Sequence, residues 1–272
     1  MLKQRLITAV ILIAIALCVL FFLPPSAFCI VMAMLSLAAG WEWTSLMGLQ
    51  WRMARVLYVV ILLAVMANAL IFAPIMMVML LAFCWWIFAF ILITLYPRRG
   101  RWLISGIYLR GLMGILVIVP CWMALSYLRN LPVGIPAMLF LFALIWGADT
   151  VAYFAGRRFG TMKLAPAVSP GKSVQGAFAS VLYATLLTFL VLCASTTPKS
   201  VWWFAIMVSI LTVLFSIVGD LFESMLKRQV GLKDSGRLLP GHGGLLDRID
   251  SLTAAAPVFA LGLFLISAIF VP

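Results

Sequence analysis

Apolar runs of about 20 residues recur along the whole chain, and they constrain its fold more than any other feature. Runs of this length suit helices that cross the hydrocarbon core of a bilayer, where each backbone polar group must be bonded within its own segment. The strands of a membrane barrel would be shorter and would alternate in polarity, and the sequence shows no such alternation. Since 66% of the residues are hydrophobic and 10% are charged, we predict an all-α polytopic membrane protein.

We predict about nine transmembrane helices in a single integral-membrane domain over residues 1–272. The first span follows a short basic start, as a signal peptide would, but no small-residue cleavage site precedes Pro24. We therefore expect this span to be kept as an anchor. The predicted spans are Leu6–Leu23, Ala27–Leu46, Val56–Ala73, Ile75–Tyr96, Leu109–Leu128, Ile135–Phe154, Gln175–Ser195, Val201–Leu221 and Leu252–Val271.

The basic residues give these spans an orientation. If the N-terminus is cytoplasmic, 17 of the 19 Lys and Arg residues fall in inner segments, and only Arg129 and Lys199 lie outside. This distribution obeys the positive-inside rule, so we expect a cytoplasmic N-terminus and an outer C-terminus. The net charge of +12 is then explained by topology and by contact with anionic headgroups, and we expect no nucleic-acid partner.

The two longest polar segments both fall on the inner side, so we expect any chemistry at the cytoplasmic face. The five cysteines lie in apolar runs without paired spacing, and we interpret them as packing residues. With a single histidine in the chain, a bound metal would have to be a hard cation with oxygen ligands.

Charge is concentrated in residues 220–250, which hold five of the seven acidic residues, five Lys or Arg residues and the only histidine. Asp220 and Glu223 are three residues apart, as are Asp247 and Asp250, which on a helix puts both carboxylates of each pair on one face. Asp149 lies near the inner end of the sixth span.

Two interpretations of these acids stay open at this point. In the first, they form interfacial ion pairs with Lys227, Arg228 and Arg248. In the second, they bind a divalent cation such as Mg²⁺, which takes one or two carboxylates together with substrate phosphates. The neighbouring cations would then neutralise the remaining phosphate charge, as phosphoryl or nucleotidyl transfer requires. The second interpretation also accounts for the glycines of "PGHGG", which let a backbone approach a ligand.

The other inner segment contains Gly171, Lys172 and Ser173 before the seventh span. These residues resemble the end of a phosphate-binding P-loop, but the glycine which that motif needs five residues earlier is replaced by Pro166. The backbone amides of this turn could hold a phosphate at a helix N-terminus. An ordinary helix cap followed by a solvated lysine explains the pattern equally well.

The run "SMLKRQVGLKDSGRLLPGHGGLLDRIDS", residues 224–251, closely resembles the signature of the phosphatidate cytidylyltransferases, also called CDP-diacylglycerol synthases. The segments "WGADTVAYFAGRRFG" and "KLAPAVSPGKSVQG" are also similar to family segments, and bacterial members are closest in style. One departure is Ser173, where threonine is more usual. The signature positions met here are Ser224, Lys227, Arg228, Lys233, Asp234, Gly236, Pro240, His242, Gly243, Gly244, Asp247, Arg248 and Asp250.

This resemblance implies transfer of the cytidylyl group of CTP to phosphatidate, giving CDP-diacylglycerol and pyrophosphate in phospholipid biosynthesis. It also implies Mg²⁺ dependence with room for a second cation, a homodimer, and a location in the bacterial inner membrane with the active site at the cytoplasmic face. The implied active-site segments are residues 149–176 and 220–251.

Together with the charges, the resemblance assigns individual residues to roles. The catalytic residues are expected to be Asp220, Asp247, Lys227, Arg228, Lys233 and Arg248. The substrate-binding residues are expected to be Ser169, Lys172, Ser173, Ser224, Asp234, His242, Gly243 and Gly244. The metal ligands are expected to be Asp220 and Asp247, with Glu223, Asp250 and Asp149 as further ligands or support.

Two other functions are compatible with a helical bundle that carries buried charge. A CDP-alcohol phosphotransferase would carry an Asp-Gly-x-x-Ala-Arg core, which this sequence lacks. A cation-coupled transporter would use Asp149 and Asp220 as ion sites, with internal repeats and helices broken at mid-membrane. No repeat is visible here, and the polar groups collect at one face.

Overall fold

The structure, a computed structural model, describes the backbone of residues 2–97, 104–236, 238 and 243–270, and the side chains of the same residues except 2–10, 12 and 270. These residues form helices joined by short connections, with one two-stranded antiparallel hairpin. The helices are α1 (Leu2–Phe22), α2 (Pro25–Met47), α3 (Arg52–Phe72), α4 (Ile75–Leu95), α5 (Ile107–Asn130), α6 (Gly134–Phe159), α7 (Val174–Ala194), α8 (Lys199–Gln229) and α9 (Leu246–Phe270). The strands are β1 (Lys163–Ala165) and β2 (Ser169–Ser173).

Within the described residues, eight helices, α2 to α9, are long and apolar enough to cross a membrane. This confirms the prediction of an all-α polytopic membrane protein. In α1 the apolar stretch with described side chains, Ile13–Phe22, is shorter than a span, so the first of the nine predicted spans stays a prediction. The cytoplasmic and outer placement of the two termini also stays a prediction.

Proline and glycine set the ends of α2. Pro25 occupies the first helical position, where its missing N–H costs nothing because that group has no partner within a helix. At the other end Gly48 adopts the left-handed conformation (φ 82°), and its N–H donates to Ser45 O while Leu49 N–H donates to Thr44 O. This capping arrangement satisfies the last carbonyls of the helix.

Helices α8 and α9 extend further than hydropathy predicts. The eighth span was predicted to end near Leu221 and the ninth to begin at Leu252, but α8 continues to Gln229 and α9 begins at Leu246. At 31 residues, α8 is about 46 Å long, which exceeds the hydrocarbon thickness of about 30 Å. Helix α8 therefore carries Asp220, Glu223, Lys227 and Arg228, and helix α9 carries Asp247, Arg248 and Asp250.

The core of the bundle lies around α5, α8 and α9. In the apolar window of α5, 78% of the residues are buried, against 17% for α3, so α5 is central and α3 peripheral. Helices α8 and α9 pack closely because glycines stand where they meet. A Cβ at Gly219 would lie 2.5 Å from Asp250 O, and one at Gly262 would lie 2.3 Å from a Val208 methyl carbon.

An aromatic cluster fixes α8 against α2 and α4. The ring of Phe222, which is almost fully buried, makes edge contacts with Trp85 and Trp86, both at 5.7 Å between centroids, and stacks at 6.5 Å on Trp43. Contacts of this type add to the stabilisation from apolar burial. They lock the rotation of α8 and so determine which way the adjacent Glu223 faces.

Candidate active site

Residues of α8 and α9 form a buried charge cluster made of Glu223, Lys227, Asp247 and Asp250. Lys227 Nζ lies 2.7 Å from Asp247 Oδ1 and 3.2 Å from Glu223 Oε1. The side chains of all three are at most 12% exposed. Asp250, one turn after Asp247, lies within electrostatic range of both Glu223 and Lys227. One lysine therefore faces three carboxylates.

Asp247 also organises the segment that precedes α9. Its Oδ2 accepts hydrogen bonds from Ser235 N–H at 2.9 Å and from Gly244 N–H at 2.8 Å. Gly243 has a φ of 81°, and a Cβ there would lie 2.9 Å from the same carboxylate oxygen. The glycine is required at this position both by its backbone conformation and by the closeness of the acid. This carboxylate is thus held by one lysine and two backbone amides.

A second group of charges lines a cavity of about 630 Å³, here called the site cavity, between α6, the hairpin, α7 and α8. Lys172 Nζ of β2 lies 2.5 Å from Asp220 Oδ2 of α8 inside it. Asp220 Oδ1 accepts a hydrogen bond from Ser224 Oγ at 3.2 Å. Asp149 and Ser169 also line the site cavity. Residues far apart in sequence, from 149 to 220, therefore meet at one polar surface.

Asp250 connects the site cavity with the buried charge cluster, since it is also within electrostatic range of Asp220 and Lys172. Asp220 and Asp247 consequently belong to one continuous charged region on the same side of the bundle. Asp220 lines the site cavity, whereas Asp247 is bound to Lys227, Ser235 and Gly244, so their joint binding of one metal ion stays a prediction.

The ion pairs differ from those of the interfacial interpretation. Glu223 does pair with Lys227, but Asp220 pairs with Lys172 from the hairpin. Arg228 is exposed, and its Nε faces Val168 O of the hairpin at 3.5 Å. The partner of Asp220 thus comes from a distant segment and not from its own helix.

The hairpin replaces the predicted Gly-Lys-Ser turn. Ser173 ends β2 and caps α7, where its Oγ accepts a hydrogen bond from Gly176 N–H at 3.1 Å. Ser173 is buried, and Cβ atoms at Gly156 and Gly160 would lie 2.8 and 2.9 Å from its Oγ. The cap interpretation is correct for Ser173, whereas Lys172 is ion-paired instead of solvated.

Other expected site residues lie elsewhere. Lys233 and Asp234 are exposed and line a second cavity of about 710 Å³ together with Glu42, Arg55 and Ser235. Arg248 lies in the first turn of α9. His242 lies outside the described residues, so its predicted contact with substrate stays a prediction.

Sequence reasoning missed several residues of this region. Arg157 and Lys163 were interpreted only as determinants of topology, yet both line the site cavity. Glu42 of α2 was not considered, yet it is 2% exposed and accepts a hydrogen bond from Leu246 N–H, the first residue of α9. The available signal for Glu42 was an acid within an apolar span, because such residues are costly and usually have a specific partner.

An apolar groove of about 560 Å³ adjoins the site cavity. It runs between α4 and α8 beneath the hairpin, and its walls include Phe90 and Phe215. Leu164, Ala177 and Ile217 line both the groove and the site cavity. A ligand with an anionic head and an apolar chain would therefore find both environments side by side.

Among the described residues, no three His, Cys, Asp or Glu side chains are grouped as a complete metal cage. Magnesium does not require such a cage, because it is usually bound by one or two carboxylates with substrate phosphates and waters. Asp220 and Asp149 present carboxylates to the site cavity, and Ser169 adds a hydroxyl. These oxygen donors fit a hard divalent cation.

The sequence was compared with those of known proteins. The model of the cytidylyltransferase family matches residues 3–266. A phosphatidate cytidylyltransferase of Pseudomonas aeruginosa is 43% identical over 263 residues, which cover 96% of each chain. One of Haemophilus influenzae is 36% identical over 288 aligned positions, which cover 98% of this chain and all of the relative. One of Brucella melitensis is 41% identical over 183 residues, which cover 67% of this chain and 63% of that relative.

Proposed function

Because the chain belongs to the cytidylyltransferase family and transfers the cytidylyl group of CTP to phosphatidate, giving CDP-diacylglycerol and pyrophosphate, we propose that this transfer occurs in the site cavity. The observation that carries the proposal is the Lys172–Asp220 pair within that cavity. It brings a phosphate-binding cation and a metal-binding carboxylate into contact from segments 48 residues apart.

The lipid substrate spans the site cavity and the apolar groove. Its phosphate lies among Lys172, Arg157 and Lys163, which supply three positive charges to the cavity wall. One acyl chain follows the groove past Leu164 and Ile217, which line both spaces. In this position the acyl chain stays in an apolar environment, while the phosphate head meets CTP, which enters from the aqueous side.

The reaction is an attack by a phosphatidate oxygen on the α-phosphorus of CTP. A new P–O bond forms, the bond from the α-phosphorus to the bridging oxygen of the β-phosphate breaks, and pyrophosphate leaves. The nucleophile is already an anion, so the residues need not remove a proton from it. Their task is to bring two anions together and to stabilise the charge on the leaving group.

The Lys172–Asp220 pair is the part of the site that a substrate phosphate would rearrange. When phosphate enters, Lys172 exchanges Asp220 for a phosphate oxygen, which is a charge-assisted partner of similar strength. The exchange leaves Asp220 facing the cavity. Asp220 and Asp149 are then the carboxylates placed to hold Mg²⁺, with Asp250 behind them. A bound Mg²⁺ supplies a Lewis acid that draws charge from phosphate oxygens.

The buried charge cluster supports this site. Lys227 pairs with Glu223 and Asp247, and Asp247 holds the backbone N–H groups of Ser235 and Gly244. Asp247 can bind a metal ion only after its carboxylate gives up a contact with Lys227, Ser235 or Gly244. The substrate contacts expected of Lys233 and Asp234, which line the second cavity, stay predictions.

The site lies at the cytoplasmic face of a bacterial inner membrane, and the protein acts as a homodimer. The positive-inside distribution supports this orientation, because the two site segments fall on the side that holds 17 of the 19 Lys and Arg residues. CTP is a water-borne substrate, which agrees with a site open to the cytoplasm. The dimer is supported by the family resemblance alone.

The test uses purified protein in detergent micelles, with and without phosphatidate, and CTP labelled at its α-phosphorus. Lipid-soluble label should appear only with phosphatidate, and a chelator should abolish it until Mg²⁺ is returned. Asp220→Asn should lower the rate by about 100-fold or more because a developing negative charge loses its metal. Lys199→Met, at the opposite end of α8, is the control and should match the wild type.

Two results would contradict the proposal. Full activity in Asp220→Asn would place the reaction elsewhere in the protein. Full activity in the presence of the chelator would show that the reaction needs no divalent cation, while the proposed transfer itself would stand.

A further inference from the structure

Glu42 is a buried carboxylate that the mechanism above does not use. It lies in the apolar helix α2 and is 2% exposed. Its Oε2 accepts hydrogen bonds from Leu246 N–H at 2.8 Å and from Ser235 Oγ at 3.3 Å. Its Oε1 is buried and has no hydrogen-bond partner among the residues that the structure describes. A carboxylate in this environment is costly, so its contacts indicate what it is needed for.

Both partners of Glu42 belong to the segment that Asp247 binds. Glu42 takes the side chain of Ser235 and the N–H of Leu246, whereas Asp247 takes the N–H groups of Ser235 and Gly244. Two carboxylates from different helices, α2 and α9, thus both bind Ser235 and a residue at or just before the start of α9. Asp247 follows Leu246 directly, so the bond from Glu42 also fixes the start of the helix that carries Asp247.

Two glycines of the family-like run lie against the Glu42 carboxylate. A Cβ at Gly236 would be 2.2 Å from Glu42 Oε1, and one at Gly244 would be 2.5 Å from Oε2. These distances are far inside van der Waals contact. Glu42 therefore gives a physical reason why positions 236 and 244 carry no side chain.

The charge of Glu42 suits its position. The first N–H groups of a helix lack partners within the helix, and the N-terminus carries partial positive charge. Glu42 satisfies one of these groups on α9 from a neighbouring helix. Its negative charge also interacts favourably with the partial positive charge at the first turn of α9, which contains Asp247.

We propose that Glu42 is a positioning residue that acts through Asp247, by fixing the backbone of Ser235, Gly244 and Leu246 around the Asp247 carboxylate. The proposal rests on the role given to Asp247 under the proposed function. Glu42 itself touches neither substrate nor metal.

The experiment compares Glu42→Ala, Glu42→Gln and Leu46→Ala in purified, ligand-free protein. Leu46 is fully buried one turn later on α2, so its truncation controls for lost packing on the same helix. Hydrogen–deuterium exchange is followed for the backbone amides of Ser235, Gly244 and Leu246. The kcat, the KM for CTP and the thermal midpoint are measured on the same samples.

In Glu42→Ala, exchange at all three amides should rise roughly tenfold or more. The Leu246 amide loses its acceptor, and the Ser235 and Gly244 amides lose the support that holds them against Asp247. The kcat should fall by about 100-fold, with a smaller change in KM, since the residue does not contact CTP. Glu42→Gln keeps an acceptor oxygen of the same reach, so it should recover most of the protection and bring kcat to within about tenfold of the wild type. Leu46→Ala should lower the thermal midpoint without raising exchange at these amides.

Three outcomes would overturn the inference. Faster exchange at Leu246 alone would show that Glu42 only caps the N-terminus of α9 and does not position the groups around Asp247. An equal loss of kcat in Leu46→Ala would attribute the effect to general destabilisation. Unchanged kcat in Glu42→Ala, with Asp247→Asn inactive, would show that Asp247 needs no positioning. An active Asp247→Asn variant would instead refute the role of Asp247 under the proposed function.

Discussion

Lys227→Met removes the only lysine within the buried charge cluster and leaves its carboxylates without their cation. In the structure Lys227 Nζ is 2.7 Å from Asp247 and 3.2 Å from Glu223. At an effective dielectric constant of about 20, these separations correspond to attractions of about 6 and about 5 kcal/mol. Desolvation of the three ions offsets much of this gain. Removing one partner of a buried pair nevertheless costs about 3–5 kcal/mol, because the stranded charges stay buried.

A loss of this size should lower the thermal unfolding midpoint of the purified protein by roughly 10 °C. The matched control is Lys199→Met, the same substitution at the exposed other end of α8, which should change stability by less than about 0.5 kcal/mol. A double variant, Lys227→Met with Glu223→Gln, removes one of the stranded charges and should regain about half of the loss.

The reasoning would be refuted if Lys227→Met unfolded at the same temperature as Lys199→Met. It would also be refuted if adding Glu223→Gln lowered the midpoint further, because the carboxylates would then not be stranded by loss of the lysine.

Three further variants test other parts of the molecule. Lys172→Met should lower cytidylyl transfer by about 100-fold while the thermal midpoint stays within about 2 °C, because its pair with Asp220 is partly solvated and contributes little stability. Asp247→Asn should abolish label transfer in protein that still inserts and purifies, since asparagine keeps one acceptor for the backbone amides; wild-type rates would remove Asp247 from the site. Arg129→Ala loses one hydrogen bond to Leu23 O (2.9 Å), so it should cost about 1 kcal/mol of stability with transfer rates unchanged, and a large loss of activity would contradict the predicted topology.

The apolar spans were predictable because burial in a bilayer requires long uninterrupted apolar runs. Their ends were less predictable where a helix leaves the membrane. Hydropathy falls after Leu221, yet α8 continues to Gln229 because Glu223 and Lys227 form an i,i+4 pair and Phe222, Met225 and Leu226 are buried in the bundle. Helix α9 begins early, at Leu246, because Glu42 accepts a hydrogen bond from Leu246 N–H and Asp247 places negative charge in the first turn.

The site was predictable in composition but not in pairing. Charge density marked Asp220, Lys227 and Asp247, whereas the contact between Asp220 and Lys172 depends on how α8 packs against the hairpin. The hairpin itself carries no alternating pattern, because its second strand reads Ser-Pro-Gly-Lys-Ser. A single acid such as Glu42 gives no local motif, and only packing reveals its partners.

Under the proposed function, the length of α8 ties catalysis to the thickness of the surrounding bilayer. Asp220 follows the apolar part of α8, so the fit of that part to the hydrocarbon layer sets the height of this carboxylate. A thicker membrane would draw this carboxylate toward the acyl chains, and a thinner one would lift it past the headgroups, each at a fraction of a kcal/mol per Å of mismatch. The turnover of the enzyme should therefore respond to acyl-chain length in the host membrane, including chains that do not enter its groove.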